Sequence, residues 1–444
     1  MHGLRAMATG RWLLFAGAAA CSSSVAMRAA ESGDRATLCQ AIAARELRGS
    51  LSNREAASLA RAVATNDLKT ASPMNAVARV GDVQPCAREL DGALSARMGT
   101  HDDAGAAAAL ARLDARGWDL DDARQYAGDP DPAWRAVGTR ALIRATDRRA
   151  RLAALVDGSP LVRREAARAA RDAVDPADLR PLSDAARLDP EPIVRTEAVR
   201  AMAAFSGGEV ADALRDLWAG GDDGLREDIA LAWSSPFLWS TGGRDALRGL
   251  VASGHGPGAI EGAAAILRHH DAGPELAALA VGRLVQAIRS GARVTRLQAI
   301  AQASLDRPEL IDAVRACAGD DDLEVRIGAL TRLAGRAAGG AVDTRTAAEA
   351  GSATSALEAL ARPESPDGPQ ARFALGGALR GTGDRRIQAW LEHDLVSASP
   401  AERLGAATAL ANLGVAARAA TLLADDDPSV RDRAACTLMM ANRR

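Results

Sequence analysis

An all-α solenoid, a superhelix of stacked antiparallel helix pairs, is the fold this 444-residue sequence predicts. Three observations predict it. A phrase of Asp, five residues, then Arg recurs at Asp129/Arg135, Asp157/Arg163, Asp189/Arg195, Asp320/Arg326 and Asp425/Arg431. Around each Arg, apolar or small residues follow at steps of four, the spacing of one helix face. Material for a β-sandwich is scarce, with one Tyr and four Phe. A helical phrase repeated about every 30 residues describes units that touch only their neighbours, not a globular enzyme domain.

Each element of the repeat has a physical reason. Ser159 precedes Pro160 as an N-cap before proline at the first helical position, and Asp131-Pro132, Glu191-Pro192 and Asp427-Pro428 stand at the same place. Before each Arg sits Trp134, Val162, Val194, Val325 or Val430, and four positions on a small residue follows: Gly138, Ala166, Ala198, Ala329 or Ala434. The small residue lets a neighbouring helix approach closely. A shorter amphipathic segment precedes most phrases, as at 177–188, 209–220, 274–288, 308–318 and 385–396. The unit is therefore helix A, a turn carrying the Asp, then helix B. Degenerate copies place Arg226, Glu261, Arg296, Arg372 and Arg403 at the Arg position. Steps are then 28 to 35 residues, save one of 46 that contains the Gly/Ala/Ser/Thr-rich stretch 335–356, read as an insertion loop.

The phrases DPDPAWRAVGTRAL, DGSPLVRREAARAA, DPEPIVRTEAVRAM, DDDLEVRIGALTRL and DDDPSVRDRAACTL resemble bacterial HEAT-like repeats of the phycobilisome-lyase type. The resemblance covers roughly 120–444. It implies that the turn Asp and the helix-B Arg form a ladder between neighbouring repeats, and that the ten Asp and Arg residues named above are structural.

Composition bounds the function. Basic residues number 55, of which only Lys69 is lysine, and 57 acidic residues are interleaved with them. A nucleic-acid solenoid should carry a net basic stripe, and none is visible, so no nucleic-acid partner is expected. Arg5 and Arg11 precede the apolar run 12–20, too short to span a bilayer. Cys21 follows three alanines. This resembles a bacterial lipobox with Cys21 lipidated, although Ala18 stands where Leu is usual. The expected division is a signal segment 1–21, a flexible tether 22–34, a helical region 35–127 of divergent repeats or a cap, and repeats over 128–444. The expected location is the cell envelope, periplasm or outer membrane, with ordinary cleavage or a cytoplasmic chain as the alternatives. In an oxidising compartment Cys39 and Cys86 are the candidate disulfide pair, whereas Cys317 and Cys436, on apolar faces, read as buried thiols.

Constellations for chemistry are absent from the sequence. The one histidine cluster, His269-His270-Asp271, reads as a helix end entering a turn, well separated from His255. Nucleophile elbows, P-loops and dinucleotide fingerprints do not occur. Paired acids such as Asp121-Asp122 sit at helix starts, where they satisfy free amides. No catalytic residue, metal ligand or cofactor is expected. The aromatics Trp218, Trp233, Phe237 and Trp239 gather in one region. Trp218 and Trp233 read as packing, while Phe237 and Trp239, in the link 234–243, are the candidate partner-binding residues. The reading is a non-enzymatic scaffold for other proteins, with the membrane as a second partner if Cys21 is lipidated. The alternatives are a bilin-lyase-like activity, or lesion binding like HEAT-type alkylpurine DNA glycosylases in a cytoplasmic chain.

Overall fold

The Asp of each phrase sets where a helix begins. Its carboxylate accepts the N–H two residues on, from Asp131, Ser159, Glu191, Asp322 and Asp427, at 2.8–3.0 Å. This Asx turn redirects the chain into helix B. Ser159 holds the cap position without a side-chain bond, while its N–H is engaged by Asp157. A computed structural model describes residues 25–46, 51–221, 223–254, 256–336, 343–365 and 368–443. Among these no strand occurs, and the all-α solenoid expected from the sequence is the fold.

Packing divides the chain into two compact units, residues 1–117 with 355–444, and residues 118–354. The first unit starts with helix 25–32 (α1), then Arg35–Glu46 (α2), Asn53–Thr70 (α3), Pro73–Val83 (α4), Asp91–Met98 (α5) and Asp103–Asp114 (α6). The tether expected at 22–34 is therefore helical over 25–32. Ala26, Ala29 and Ala30 form a buried face at helical spacing, too small to stand out in sequence.

The second unit opens with Leu120–Arg124 (α7), Pro132–Arg140 (α8), Arg148–Ala154 (α9) and Pro160–Ala173 (α10). Leu179–Leu188 (α11), Pro192–Met202 (α12), Gly208–Gly220 (α13) and Asp223–Trp233 (α14) continue the alternation. After the single turn Pro236–Leu238 (α15) come Arg244–Ser253 (α16), Pro257–Arg268 (α17), Pro274–Ser290 (α18) and Arg293–Gln302 (α19). Pro308–Ala316 (α20) and Leu323–Ala334 (α21) complete the regular pairs, and Thr344–Ala361 (α22) begins in this unit. The B helices α8, α10, α12, α14, α17, α19 and α21 pack in that order as one layer, with the A helices as the other. Small residues make the close approach. Ala166, Ala198 and Ala329 are fully buried, and a Cβ on Gly138 would strike the backbone of Tyr126 and Ala127. The insertion loop expected at 335–356 is instead helical from 344 on, with Ala350, Ala353 and Leu357 as its buried stripe.

The chain re-enters the first unit with Gly368–Ala378 (α23), Gln388–Asp394 (α24), Pro400–Asn412 (α25), the 3-10 helix Ala416–Ala424 and Pro428–Ala441 (α26). There α3 and α4 pack directly on α26. The N-terminal helices thus cover the last repeat helix, and the boundary expected at 127/128 is not the one packing makes. The disulfide expected between Cys39 and Cys86 is corrected by the same arrangement. Cys86 is bonded to Cys436 of α26, with Cα atoms 5.3 Å apart, while Cys39 is an exposed free thiol on α2. Cys317 is a buried free thiol, as expected.

Candidate interaction surface

The charged phrase builds a ladder with one rule. Each Arg of the five phrases donates Nη1 to the carbonyl of its own turn residue, and Arg135 and Arg163 offer their remaining nitrogens to the next turn's carboxylate. Arg135 reaches Asp129 O at 2.8 Å and both oxygens of Asp157 at 2.9 and 3.1 Å. Arg163 reaches Asp157 O at 2.8 Å and Asp189 at 2.6 and 2.9 Å. Arg195 and Arg326 make the carbonyl contact to Asp189 and Asp320 at 3.0 and 3.1 Å. Two Arg positions identified as degenerate obey the rule for the carboxylate: Arg296 pairs with Asp320 and Arg403 with Asp425. Arg431 takes Asp425 O at 2.7 Å and Asp67 of α3 at 2.8 Å.

Electrostatics agree with a load carried inside the stack. The hydrogen bonds from Arg135 hold the Asp157 carboxyl below the usual range. At Asp189 burial pushes upward, and the Arg163 bonds with the Glu191 N–H outweigh it, so the net direction is down. Arg296 lowers Asp320 likewise. Bidentate guanidinium–carboxylate pairs of this kind fix geometry between neighbours.

The two candidate partner-binding aromatics separate. Phe237 is 55% exposed, whereas Trp239 is 5% exposed. Trp239 stacks on His269 with centroids 3.8 Å apart and planes 3° apart, and donates Nε1 to Asp271 Oδ2 at 3.0 Å. His269 Nε2 meets Ser234 O at 2.8 Å. The link 234–243 is no open loop: Trp239–Gly243 form a π turn whose irregular backbone is absorbed at Gly242, φ 124°. Trp239 is therefore core, and the histidine cluster is its packing partner at the end of α17. Trp233 is buried, as expected of packing, and donates to Ala211 O at 3.3 Å. Trp218 lies against it and under Arg226, which meets this ring where its counterparts meet an Asp.

Between α12 and α14 the second unit has a groove of about 470 Å³. Pro192, Arg195, Thr196 and Arg200 line one side, and Leu225, Glu227, Asp228 and Leu231 the other. Arg200 pairs with Asp228 at 2.9 Å, and Leu231 is 42% exposed. Gln298 of α19 reaches across α17 to Glu227 at 3.1 Å, and Gln302 reaches Glu261 at 2.8 Å. Burial, then the neighbouring Glu261 and Asp228, push the Glu227 carboxyl up. Sequence reasoning missed this network. Its signal was weak: the small residues Gly258, Ala259, Gly262 and Ala263 on α17, which let its neighbours close over it. Among the described residues no group of three His, Cys, Asp or Glu is placed to hold a metal, and no helix is long and apolar enough to cross a membrane. Cys21 lies outside the described residues, as do His255 and part of the stretch 335–356.

The geometry of α9 to α14, helix pairs joined by an Asp turn, coincides with residues 149–233, which match the family model for HEAT repeats. No curated protein sequence matches significantly. Among solved structures, the Escherichia coli protein YibA is 15% identical, over 67% of this chain and 92% of its own, with a TM-score of 0.28. An engineered protein is 18% identical over 86% and 99%, with a TM-score of 0.29. Importin beta is 14% identical over 82% of this chain and 49% of its own, with a TM-score of 0.31.

Proposed function

We propose that the chain is a non-enzymatic scaffold that binds another protein on the B-helix layer of its HEAT repeats, in the cell envelope. The groove between α12 and α14 carries this reading. It is the place where a regular stack of repeats leaves a cleft of about 470 Å³ beside an exposed Leu231, with charged groups of both signs at its walls. Such a cleft suits an extended protein segment that offers one apolar side chain and polar flanks. Lipid anchoring through Cys21 belongs to the same proposal, resting on the charged start, short apolar run and Ala-Ala-Ala-Cys junction. The Cys86–Cys436 bond supports an oxidising compartment. No observation favours the lyase-type reading, and a formal charge of −2 gives lesion binding no support.

Crosslinking with pull-down from the native cell tests the reading. Thr196 is half-buried in the groove wall, so Thr196→Arg obstructs the groove, and the expected result is loss of the wild-type partner with an unchanged helical spectrum. Recovery of the same partner by the variant removes the groove from the reading. Recovery of no protein by wild type removes the scaffold. Cys21→Ser is expected to leave the membrane fraction, and a wild-type chain found wholly in the cytoplasm ends the envelope assignment.

A further inference from the structure

The first unit brings residues 67–89 against residues 431–443 along one seam. Four side-chain links follow one another, three on α26 and one just past its end: Arg431 with Asp67, Asp432 with Arg79, Cys436 with Cys86, and Arg443 with Glu89. Only the third is covalent, and its cysteines are 350 positions apart in sequence. We propose that this seam is a redox-gated closure: the Cys86–Cys436 disulfide holds α3 and α4 on α26, and its reduction by a dithiol releases them.

The argument rests on what else holds the seam. The outermost link, Arg443–Glu89, leaves its Arg 40% exposed, and exposed pairs contribute little. The link beside the disulfide works against itself. The Asp432 side chain is 0% exposed, its Oδ2 accepts from Arg79 at 2.6 Å, and its Oδ1 has no hydrogen-bond partner among the described residues. A buried carboxylate half satisfied in this way is costly. The groups facing it do not compensate. Arg79 and Asp82 stand on α4 and Asp67 on α3; Asp67 is already paired with Arg431, and Arg79 is the cation that meets Asp432 itself. The turn Gln84–Cys86 carries no charge, Arg403 of α25 is committed to Asp425, and Arg418 of the preceding 3-10 helix to Glu392. Burial, opposed by Arg79, and the acids Asp67 and Asp82 push the Asp432 carboxyl up to about 7. A group whose pKa is raised in the closed state favours closure below that value and disfavours it above. The buried apolar residues of the two helices include small alanines, Ala57, Ala60 and Ala64 of α3 and Ala434 and Ala435 of α26, which bury little area each, beside Leu59, Val63, Leu438 and Met439. A covalent link over so long a chain segment removes most of the entropy that opening would gain.

The reaction balances. A dithiol thiolate attacks one protein sulfur, the S–S bond breaks, and the second thiol closes the reductant into its own disulfide. Two electrons and two protons end on Cys86 and Cys436. Both cysteines are buried, Cys86 at 0% and Cys436 at 4% exposure, so attack waits on transient opening of the seam. Reduction should therefore be slow, and faster where Asp432 is ionised.

Hydrogen exchange of the full chain, with and without dithiothreitol, tests the proposal. Reduction is expected to accelerate exchange in α3, α4 and α26 by roughly tenfold or more, leaving α10 and α12 unchanged. Cys86→Ser/Cys436→Ser without reductant should reproduce that pattern, with α10 and α12 reporting that the variant is folded. Asp432→Asn should slow reduction of the bond at pH 8 relative to wild type, after correction for thiolate content with a small disulfide. Equal exchange in oxidised and reduced wild type overturns the proposal. So does acceleration of both units alike, or alkylation that finds Cys86 and Cys436 both as free thiols in the protein recovered from its native compartment.

Discussion

Arg431 Nε donates to Asp67 Oδ2 at 2.8 Å, across 364 positions of sequence. At Arg135 and Arg163 the carboxylate comes from the turn of the next repeat, Asp157 and Asp189 respectively. At Arg431 the acid is supplied instead by α3, a helix distant in sequence. Both side chains are nearly buried, at 10% and 12% exposure, so the pair is held away from water.

A double-mutant cycle with Asp67→Asn and Arg431→Gln is expected to show a coupling of about 1–3 kcal/mol in denaturant unfolding. Each single variant should destabilise, and the double variant should lose less than their sum. Strict additivity would mean that water, rather than Asp67, satisfies Arg431.

Two opposed titrations shape the dependence of stability on pH. Asp157 and Asp320 are lowered chiefly by their Arg partners, and Asp189 is lowered by Arg163 against its burial. Groups lowered on folding contribute stability that is complete above about 4 and is lost as pH falls through their folded values. Asp432 has the opposite sign: raised to about 7, it favours the folded state at lower pH, and that contribution is lost as pH rises from about 4 to about 7. Thermal melting followed by circular dichroism should peak between about pH 4 and 6, and Asp432→Asn should flatten the neutral limb. A melting temperature that climbs steadily to pH 8 in wild type contradicts the Asp432 assignment.

The repeat was legible because a ladder needs its Asp and Arg at fixed places. The turn Asp must reach the N–H two residues on, and the Arg must return to the same turn's carbonyl, so the offset of six is conserved within the chain itself. What the local pattern does not contain is the partner beyond it. Asp67 for Arg431 and Cys436 for Cys86 are choices of packing between distant segments. Arg151 illustrates the same limit: fully buried, it meets Asp178 at 2.5 Å between successive A helices, where no phrase marks it. The stretch after 343 was misread because its stripe, Ala350, Ala353 and Leu357, is built mainly from alanine, indistinguishable by composition from a small-residue loop.

Two glycines within repeat helices, Gly138 at the small position and Gly328 beside Ala329, behave differently. Gly138→Ala is expected to cost roughly 1–3 kcal/mol, because its Cβ meets backbone that has no rotamer to yield. Gly328→Ala, where the nearest atom is Leu297 Cδ2 at 3.5 Å, should be neutral or stabilise by up to about 1 kcal/mol through helix propensity. Chemical unfolding of the two variants side by side checks the contrast, and equal costs would deny that close approach at Gly138 matters.

The last prediction concerns Trp239 and Phe237, two residues apart and opposite in role. Trp239 is buried, stacked on His269 and bonded to Asp271, so Trp239→Ala removes a large packed ring and leaves that carboxylate without its donor. The expected loss is about 3–5 kcal/mol, the usual range for truncating a buried aromatic. Phe237 is 55% exposed, and Phe237→Ala should change stability by no more than about 0.5 kcal/mol. The comparison also locates recognition. If Phe237→Ala melts like wild type yet loses a protein recovered by native pull-down, the exposed ring is part of the binding surface, because folding no longer explains the loss. If it melts like wild type and keeps every partner, binding does not use this turn, and the α12–α14 groove is the surface to be tested by Thr196→Arg. If Trp239→Ala proves as harmless as Phe237→Ala, the stack with His269 contributes nothing, and the assignment of Trp239 to the core is wrong.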